Sequence, residues 1–358
     1  MLGVIDCGTT NTRFSLIDEN GNYIISRQRK VGVRDTAIRN NREYLRKMVG
    51  ELICDTIAEA GRQISDLDII LASGMITSEI GLVEIPHLVA PVDKRQLAKN
   101  IWYFGKERRM FGIEAPVAFI PGVRNHYGEG ITLENVYETD FMRGEEVQAI
   151  AVGERYGMGQ PLNLVVLSSH TKIISISSDG QIEGSVTTMS GQLFDALLSH
   201  TFLGKSVAVG EHDNRREFSD SDLIDRATQA VQKDGLLRLL MTPRFMEVFM
   251  KTGAGDRLIY LDAIIAGEDI KAFDEIERKG MKSNRYVLFG QKARCDIYEY
   301  LLRKRQKDAE IIKICEKNEL INLTVRGSLL VYGEYRAMEE EKYVQDEGRC
   351  PADDRSIS

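Results

Sequence analysis

The chain is poor in whatever would cross-link it, anchor it or draw it to a polyanion. Its 358 residues contain five cysteines, Cys7, Cys54, Cys295, Cys315 and Cys350, scattered and never in a CxxC pair. That argues against a disulfide framework or a thiolate zinc site and fits a reducing compartment. His87, His126, His200 and His212 show no HxxxH or other ligand spacing, which disfavours catalysis by zinc. No stretch approaches 18 uncharged apolar residues, and the opening MLGVIDCG has no basic segment before a long apolar core. Neither a membrane span nor a secretory leader is therefore expected, and a cytoplasmic location is. Positive charge is in deficit: 47 Lys and Arg face 54 Asp and Glu, a net charge of −7. No global field exists to attract nucleic acid or an anionic membrane, so an anionic ligand must be held locally. What is present is ordinary for a folded protein, with 43% hydrophobic and 28% charged residues. At about 150 residues per domain the length suggests two domains with real cores.

The segment GVIDCGTTNTRFSLIDENGNYIISRQ predicts a strand, a tight polar turn, a second strand, an Asn20-Gly21 hairpin turn and a third strand. NLVVLSSHTKIISISSDGQIEGSVTT repeats the plan: a strand at 164–167, a polar turn at 168–171, a strand at 172–177 and Asp179-Gly180 closing a hairpin. Elsewhere the period is helical. Leu45, Met48, Val49, Leu52 and Ile53 form one stripe of a helix capped by Asn41, and helical patterns cover 190–202, 220–251, 256–279 and 291–305. RYVLFG and NLTVRG read as short strands, each followed by glycine and a helix. The pattern predicts an α/β protein of two duplicated domains with a nucleotide cleft between them, and it resembles the actin-like (ribonuclease H-like) ATPase and sugar-kinase architecture. The expected domains are 1–160, with the substrate-binding elements, and 161–335, with the nucleotide-binding elements. Residues 336–358, with seven acids against four bases, are expected to form a flexible acidic tail.

The first turn, Asp6-Cys7-Gly8-Thr9-Thr10-Asn11-Thr12-Arg13, has the parts needed to hold a phosphate. Gly8 permits close backbone approach, exposed N–H groups and the hydroxyls of Thr9, Thr10 and Thr12 can donate, and Asn11 lies at the tip. Asp6 follows an apolar run at the end of a buried strand, where a carboxylate needs a partner, and Mg²⁺ would supply one. The second turn, Ser169-His170-Thr171-Lys172, offers hydroxyls, an imidazole and an amine that could face phosphate, or form a plain exposed hairpin. In DFMRGEEVQ, Asp140 reads as the cap of a helix running from about Met142 to Arg155. The functional reading is that Arg143 pairs with a substrate carboxylate while Asp140 or Glu145 takes a proton from an attacking hydroxyl. Pro121-Gly122-Val123-Arg124 brings Arg124 to the same region, and two arginines suit an acidic sugar. SHTFLGKS and GAGDRL fail the P-loop and dinucleotide patterns, since each follows a helix.

DCGTTNTR, ASGMITSEIG with the later IP..VAPV, IPGVR, DFMRGEEVQAI, SSHTK and TTMSGQLFDALLSHTFLG together resemble the 2-dehydro-3-deoxygalactonokinase family over most of Leu2 to Gly333. The second turn departs from the family's pattern in having Ser168 and Ser169 before His170, and Ile173 where tryptophan is usual. The resemblance implies ATP, Mg²⁺ and phosphorylation of the terminal (6-) hydroxyl of a 2-keto-3-deoxy sugar acid. It assigns Asp6 to the metal and Gly8, Thr9, Thr10, Asn11, Ser169, His170, Thr171 and Lys172 to the phosphates. Arg13, Arg124 and Arg143 are candidates for the substrate, Asp140 or Glu145 for the base, and Gly290 and Gly327, after late strands, for the adenosine. A kinase for a hexose or amino sugar, and a non-catalytic ATP-binding regulator, stay open, as does a homodimer.

Overall fold

The structure, a computed structural model, describes residues 1–128, 130–210 and 216–347. By packing, the chain forms two units: one comprises Met1–Leu133, Phe141–Ala151 and the chain from Asn322, the other Glu134–Asp140 and Val152–Ile321. This division differs from a single cut at 160/161.

In the first unit the strands are β1 (Leu2–Cys7), β2 (Thr12–Ile17), β3 (Tyr23–Arg29), β4 (Ile69–Gly74), β5 (Leu88–Val89), β6 (Trp102–Phe104), β7 (Val117–Phe119), β8 (Val123–Arg124) and β9 (Phe141–Met142). Six of them form a mixed sheet in the order β3-β2-β1-β4-β7-β6, and β5-β8-β9 form a small second sheet. β1 to β3 are an antiparallel meander, with Gly21 at φ +82° in the turn, and β4 then joins β1 in parallel. The helix Arg42–Glu59 covers this sheet, burying Leu45, Val49, Leu52 and Ile53. Asn41 caps it as expected, its side chain accepting from the amides of Glu43 and Tyr44.

The second unit carries β10 (Leu162–Leu167), β11 (Thr171–Ile176), β12 (Ile182–Thr188), β13 (Arg285–Gly290) and β14 (Glu310–Ile314), in the order β12-β11-β10-β13-β14. Again a three-stranded antiparallel meander is followed by a strand parallel to its first member. The same order of pairing thus occurs in both units. β10 and β11 are buried along their whole length, as strands covered on both faces require.

Three expectations are corrected. Asn322–Gly327 is not a strand but part of the helix Lys317–Glu347, where Val325 packs with Val4, Ile17, Ile69 and Leu71. The same helix carries residues 336–347, and Glu341 reaches Arg95 at 3.9 Å, so that part of the tail is ordered; residues 348–358 lie outside the described residues. The pattern over 220–251 breaks at Gly235, φ +81°, into Asp220–Asp234 and two short helices. Finally, the helix of the DFMRGEEVQ segment starts at Glu145, because Phe141–Met142 pair with β8 and Gly144, at φ +106°, turns the chain.

Candidate active site

Backbone crowding at the carboxyl ends of β1 and β4 builds the centre of the first unit. Gly74, at φ +89°, lies so close that a Cβ there would stand 2.5 Å from the Cys7 carbonyl. A Cβ on Gly144 would come within 3.3 Å of Gly74 Cα and 3.9 Å of Asp6 Oδ1. Glycine at both positions lets the turn before the helix Glu145–Val152 approach Asp6. The register pairs Asp6 with Arg13 on β2 and with Ser73 on β4, and the buried Ser73 hydroxyl has no hydrogen-bond partner. Burial raises the Asp6 carboxyl to about 6, with Glu145 adding to the rise and Arg13 opposing it. A desolvated carboxylate beside an unsatisfied hydroxyl and a second acid is a hard-oxygen donor set that suits Mg²⁺ or its bound waters. The neighbouring Cys7 thiol is pushed up to about 12 by burial, so it does not act as a nucleophile.

The first polar turn is closed by the Gly8 amide donating to Asn11 O at 2.9 Å and braced by the amides of Val33 and Arg34, which donate to Gly8 O and Thr9 O. Thr9, Thr10 and Asn11 stand exposed at its tip. Thr12 does not join them: fully buried, its hydroxyl donates to Val31 O at 2.8 Å. Arg13 reaches across to the Gln28 side chain on β3.

Three separate sequence motifs converge in the small sheet. β8 pairs in parallel with β5 and antiparallel with β9, with Val123 opposite Met142 and both buried. By alternation Arg124 and Phe141 face the other way, as does Arg143 beyond them. Arg143 Nη1 donates to Thr77 Oγ1 at 2.8 Å and Nη2 to Ile85 O at 2.7 Å, with His87 Nδ1 at 3.4 Å. Its direct partners are therefore neutral, and burial lowers its pKa. Glu146, the acid with the largest effect on it, is itself fully buried and raised by burial to about 8, and Glu79 and Glu84 also favour the charged guanidinium. His87, dismissed on spacing alone, thus belongs to the site, its ring 5.3 Å from that of Phe141. Gly122 makes room for it, since a Cβ there would lie 2.7 Å from Arg143 Cγ and 2.9 Å from the His87 ring. Arg124 lies over the Tyr127 ring at 4.4 Å.

In the second unit, Ser168 and Ser169 are exposed and His170 is half-buried, whereas Thr171 and Lys172 are inside. Lys172 Nζ lies 4.0 Å from Asp140, whose carboxylate also accepts from Ser185 Oγ at 2.8 Å and Thr187 Oγ1 at 2.9 Å. Asp140 is therefore not a helix cap but a half-buried partner of side chains on β11 and β12. Gly290 is needed by the sheet, because a Cβ would stand 2.7 Å from Leu167 O on the paired strand. Gly327 sits within a helix, against the backbone of Val147, where a Cβ would be 1.8 Å from the carbonyl oxygen. Close helix packing accounts for it, not a nucleotide loop. A cavity of ≈ 400 Å³ adjoins Thr187 and Glu268, and a larger one of ≈ 780 Å³ opens at Ser169 between helices bearing Phe194, Ile224, Asp262, Arg294 and Tyr300. The larger is of a size and mixed polarity suited to a nucleoside, and Gln291, next to Gly290, lines it. No motif marks this cavity in advance, since its walls come from four separate helices.

A curated relative from Rhizobium meliloti, DgoK1, assigned as a 2-dehydro-3-deoxygalactonokinase, is 24% identical over 266 residues, 74% of this chain and 78% of that protein. A crystal structure of a candidate 2-dehydro-3-deoxygalactonokinase from Sinorhizobium meliloti matches 94% of this chain and 99% of its own with a TM-score of 0.67 at 19% identity. A reductive activator for a corrinoid, iron-sulfur protein shares the fold more loosely, at a TM-score of 0.52 and 14% identity over 95% of this chain and 62% of that one. The family model for 2-keto-3-deoxy-galactonokinase matches residues 6–321, a span holding every motif of the first unit's centre, and the chain belongs to that family.

Proposed function

We propose that the protein transfers the terminal phosphoryl group of ATP to the 6-hydroxyl of 2-dehydro-3-deoxy-D-galactonate or a closely related keto-deoxy sugar acid. The observation that carries this reading is Arg143, a half-buried guanidinium that donates to a hydroxyl and a backbone carbonyl and stands two residues before Glu145. A partly desolvated guanidinium hydrogen-bonded to a hydroxyl and a carbonyl, with its nearby acids acting only through space, favours an anionic ligand, and a sugar carboxylate is the anion such a substrate offers. Arg124 on the same face supplies a second cation. Glu145, at the helix N-terminus beside Asp6, takes the proton from the attacking hydroxyl. Asp6 holds Mg²⁺, which when bound neutralises charge on the transferring phosphoryl group. In the first unit Thr9, Thr10 and Asn11 offer exposed side chains to phosphate; in the second, exposed Ser169 and half-buried His170 do the same, and the ≈ 780 Å³ cavity that opens at Ser169 takes the nucleoside. The equal pairing order of the two sheets supports descent of both units from one actin-like module.

The test is ADP release measured over a panel of keto-deoxy sugar acids, fully hydroxylated acids and neutral sugars. Turnover confined to the acids is expected. Turnover of neutral sugars alone would replace this reading with a hexose or amino-sugar kinase. Nucleotide binding without turnover on any acceptor would replace it with a regulator, a reading favoured only by the burial of Thr171 and Lys172 in the second turn.

A further inference from the structure

A line of buried hydrogen bonds runs from the wall of the larger cavity to the second polar turn. Asp262 and Arg294 line the cavity with their charged groups 3.9 Å apart, and each residue is 9% exposed. Arg294 Nη2 donates to Ser190 Oγ at 3.0 Å, and Thr188 Oγ1 donates to the same oxygen at 3.2 Å. A hydroxyl has two lone pairs and one proton. With both lone pairs engaged, the Ser190 proton goes to Thr171 Oγ1, 2.6 Å away. The direction is fixed at the Arg294 end, because a guanidinium cannot accept.

Two atoms of the cavity wall, Asp262 Oδ1 and Arg294 Nε, face each other as an ion pair at 3.9 Å, too far apart for a hydrogen bond, and neither has another hydrogen-bond partner. Unsatisfied buried polar atoms are exceptions that call for an explanation. We propose that a nucleoside completes this pair, offering a donor to Asp262 and an acceptor to Arg294, and that Arg294 is a positioning residue that couples nucleoside occupancy, through Ser190, to Thr171 in the second polar turn. The proposal rests on reading the cavity as the nucleoside site. The coupling has a mechanical basis. Ser190 opens the helix Ser190–His200, in which a Cβ on Gly191 would stand 1.9 Å from Ser168 O, and the Gln192 amide donates to Ser169 O at 2.6 Å. A displacement of Ser190 therefore reaches the exposed serines directly.

Calorimetry with adenosine and with Mg-ATP, together with steady-state kinetics, on the full chain and its variants separates the two parts. Asp262→Asn is expected to weaken adenosine and ATP alike, by about tenfold. Ser190→Ala and Thr171→Val are expected to hold adenosine affinity within about twofold while ATP affinity and kcat fall about tenfold. Thr171→Ser, which restores the hydroxyl, should return both. Equal losses for adenosine and ATP in Ser190→Ala and Thr171→Val, or no loss of either, would overturn the coupling. If wild-type protein binds ATP but not adenosine, and Asp262→Asn changes neither, the cavity is not the nucleoside site and that reading fails instead. Thermal melts accompany each variant; should Ser190→Ala not fold, Thr171→Val and Arg294→Lys, which keeps the charge, decide the question.

Discussion

At the scale of single residues, burial sorts the acids of the DFMRGEEVQ segment into three roles. Asp140 is tied to Lys172, Ser185 and Thr187, Glu145 stands beside Asp6, and Glu146 is inside and neutral. Glu145→Gln should lower kcat by about a hundredfold to ten-thousandfold. Asp140→Asn should act chiefly on stability, costing about 1–3 kcal/mol in a denaturant melt. A larger kcat loss in Asp140→Asn than in Glu145→Gln would reverse the assignment. Glu146 makes a signed prediction. Its carboxyl is raised from 4.5 to about 8, so between those values the unfolded chain loses the proton that the folded one keeps, and stability falls as pH rises through that window. Glu146→Gln should therefore raise Tm at pH 8 by several degrees and have little effect below pH 4.5. Asp6, raised to about 6, should lose Mg²⁺ as pH falls through 6, seen as a rise in the Mg²⁺ concentration needed for half-maximal rate. The place of Asp6 near the end of a strand was legible because it follows the apolar run from Leu2 to Ile5. Asp140 was misread as a helix cap because its partners lie 45 and 47 residues away.

At the scale of elements, the meanders and the capped helix were readable from local chemistry. Alternation, Asn-Gly and Asp-Gly turns and an Asn cap act within a few residues, and each appears where the pattern puts it. NLTVRG was not readable, because Thr and Val favour strands and only packing against β1, β2 and β4 makes the segment helical. Glycine had the same ambiguity. Gly290 and Gly327 looked like sites of approach to a ligand, yet what each approaches is the protein's own backbone. Gly327→Ala should accordingly cost about 1–3 kcal/mol or more by forcing the helices apart, measured by thermal melt, with KM for ATP little changed at temperatures where the protein is folded. A selective rise in that KM would restore Gly327 to the nucleotide site.

At the scale of the whole molecule, the repeated meander could be seen in sequence because both copies carry their turns at similar spacing. The division into units could not, since it depends on which core each helix joins. Val325 packs with strands whose residues lie more than 250 positions earlier, and the helix is further held by Lys94 to Glu334 at 3.3 Å. A fragment ending at residue 160 should therefore be poorly folded by circular dichroism, and adding a peptide of residues 317–347 should restore helix and strand signal. Recovery of a stable fold by the fragment alone would mean that the helix contributes little to that core.

The return of the helix Lys317–Glu347 to the core of β1, β2 and β4 also orders events during synthesis. The strands of the second unit have all left the ribosome before this helix emerges, so that unit can be complete while the N-terminal sheet still has an apolar face uncovered. The first segment translated is the last to be finished.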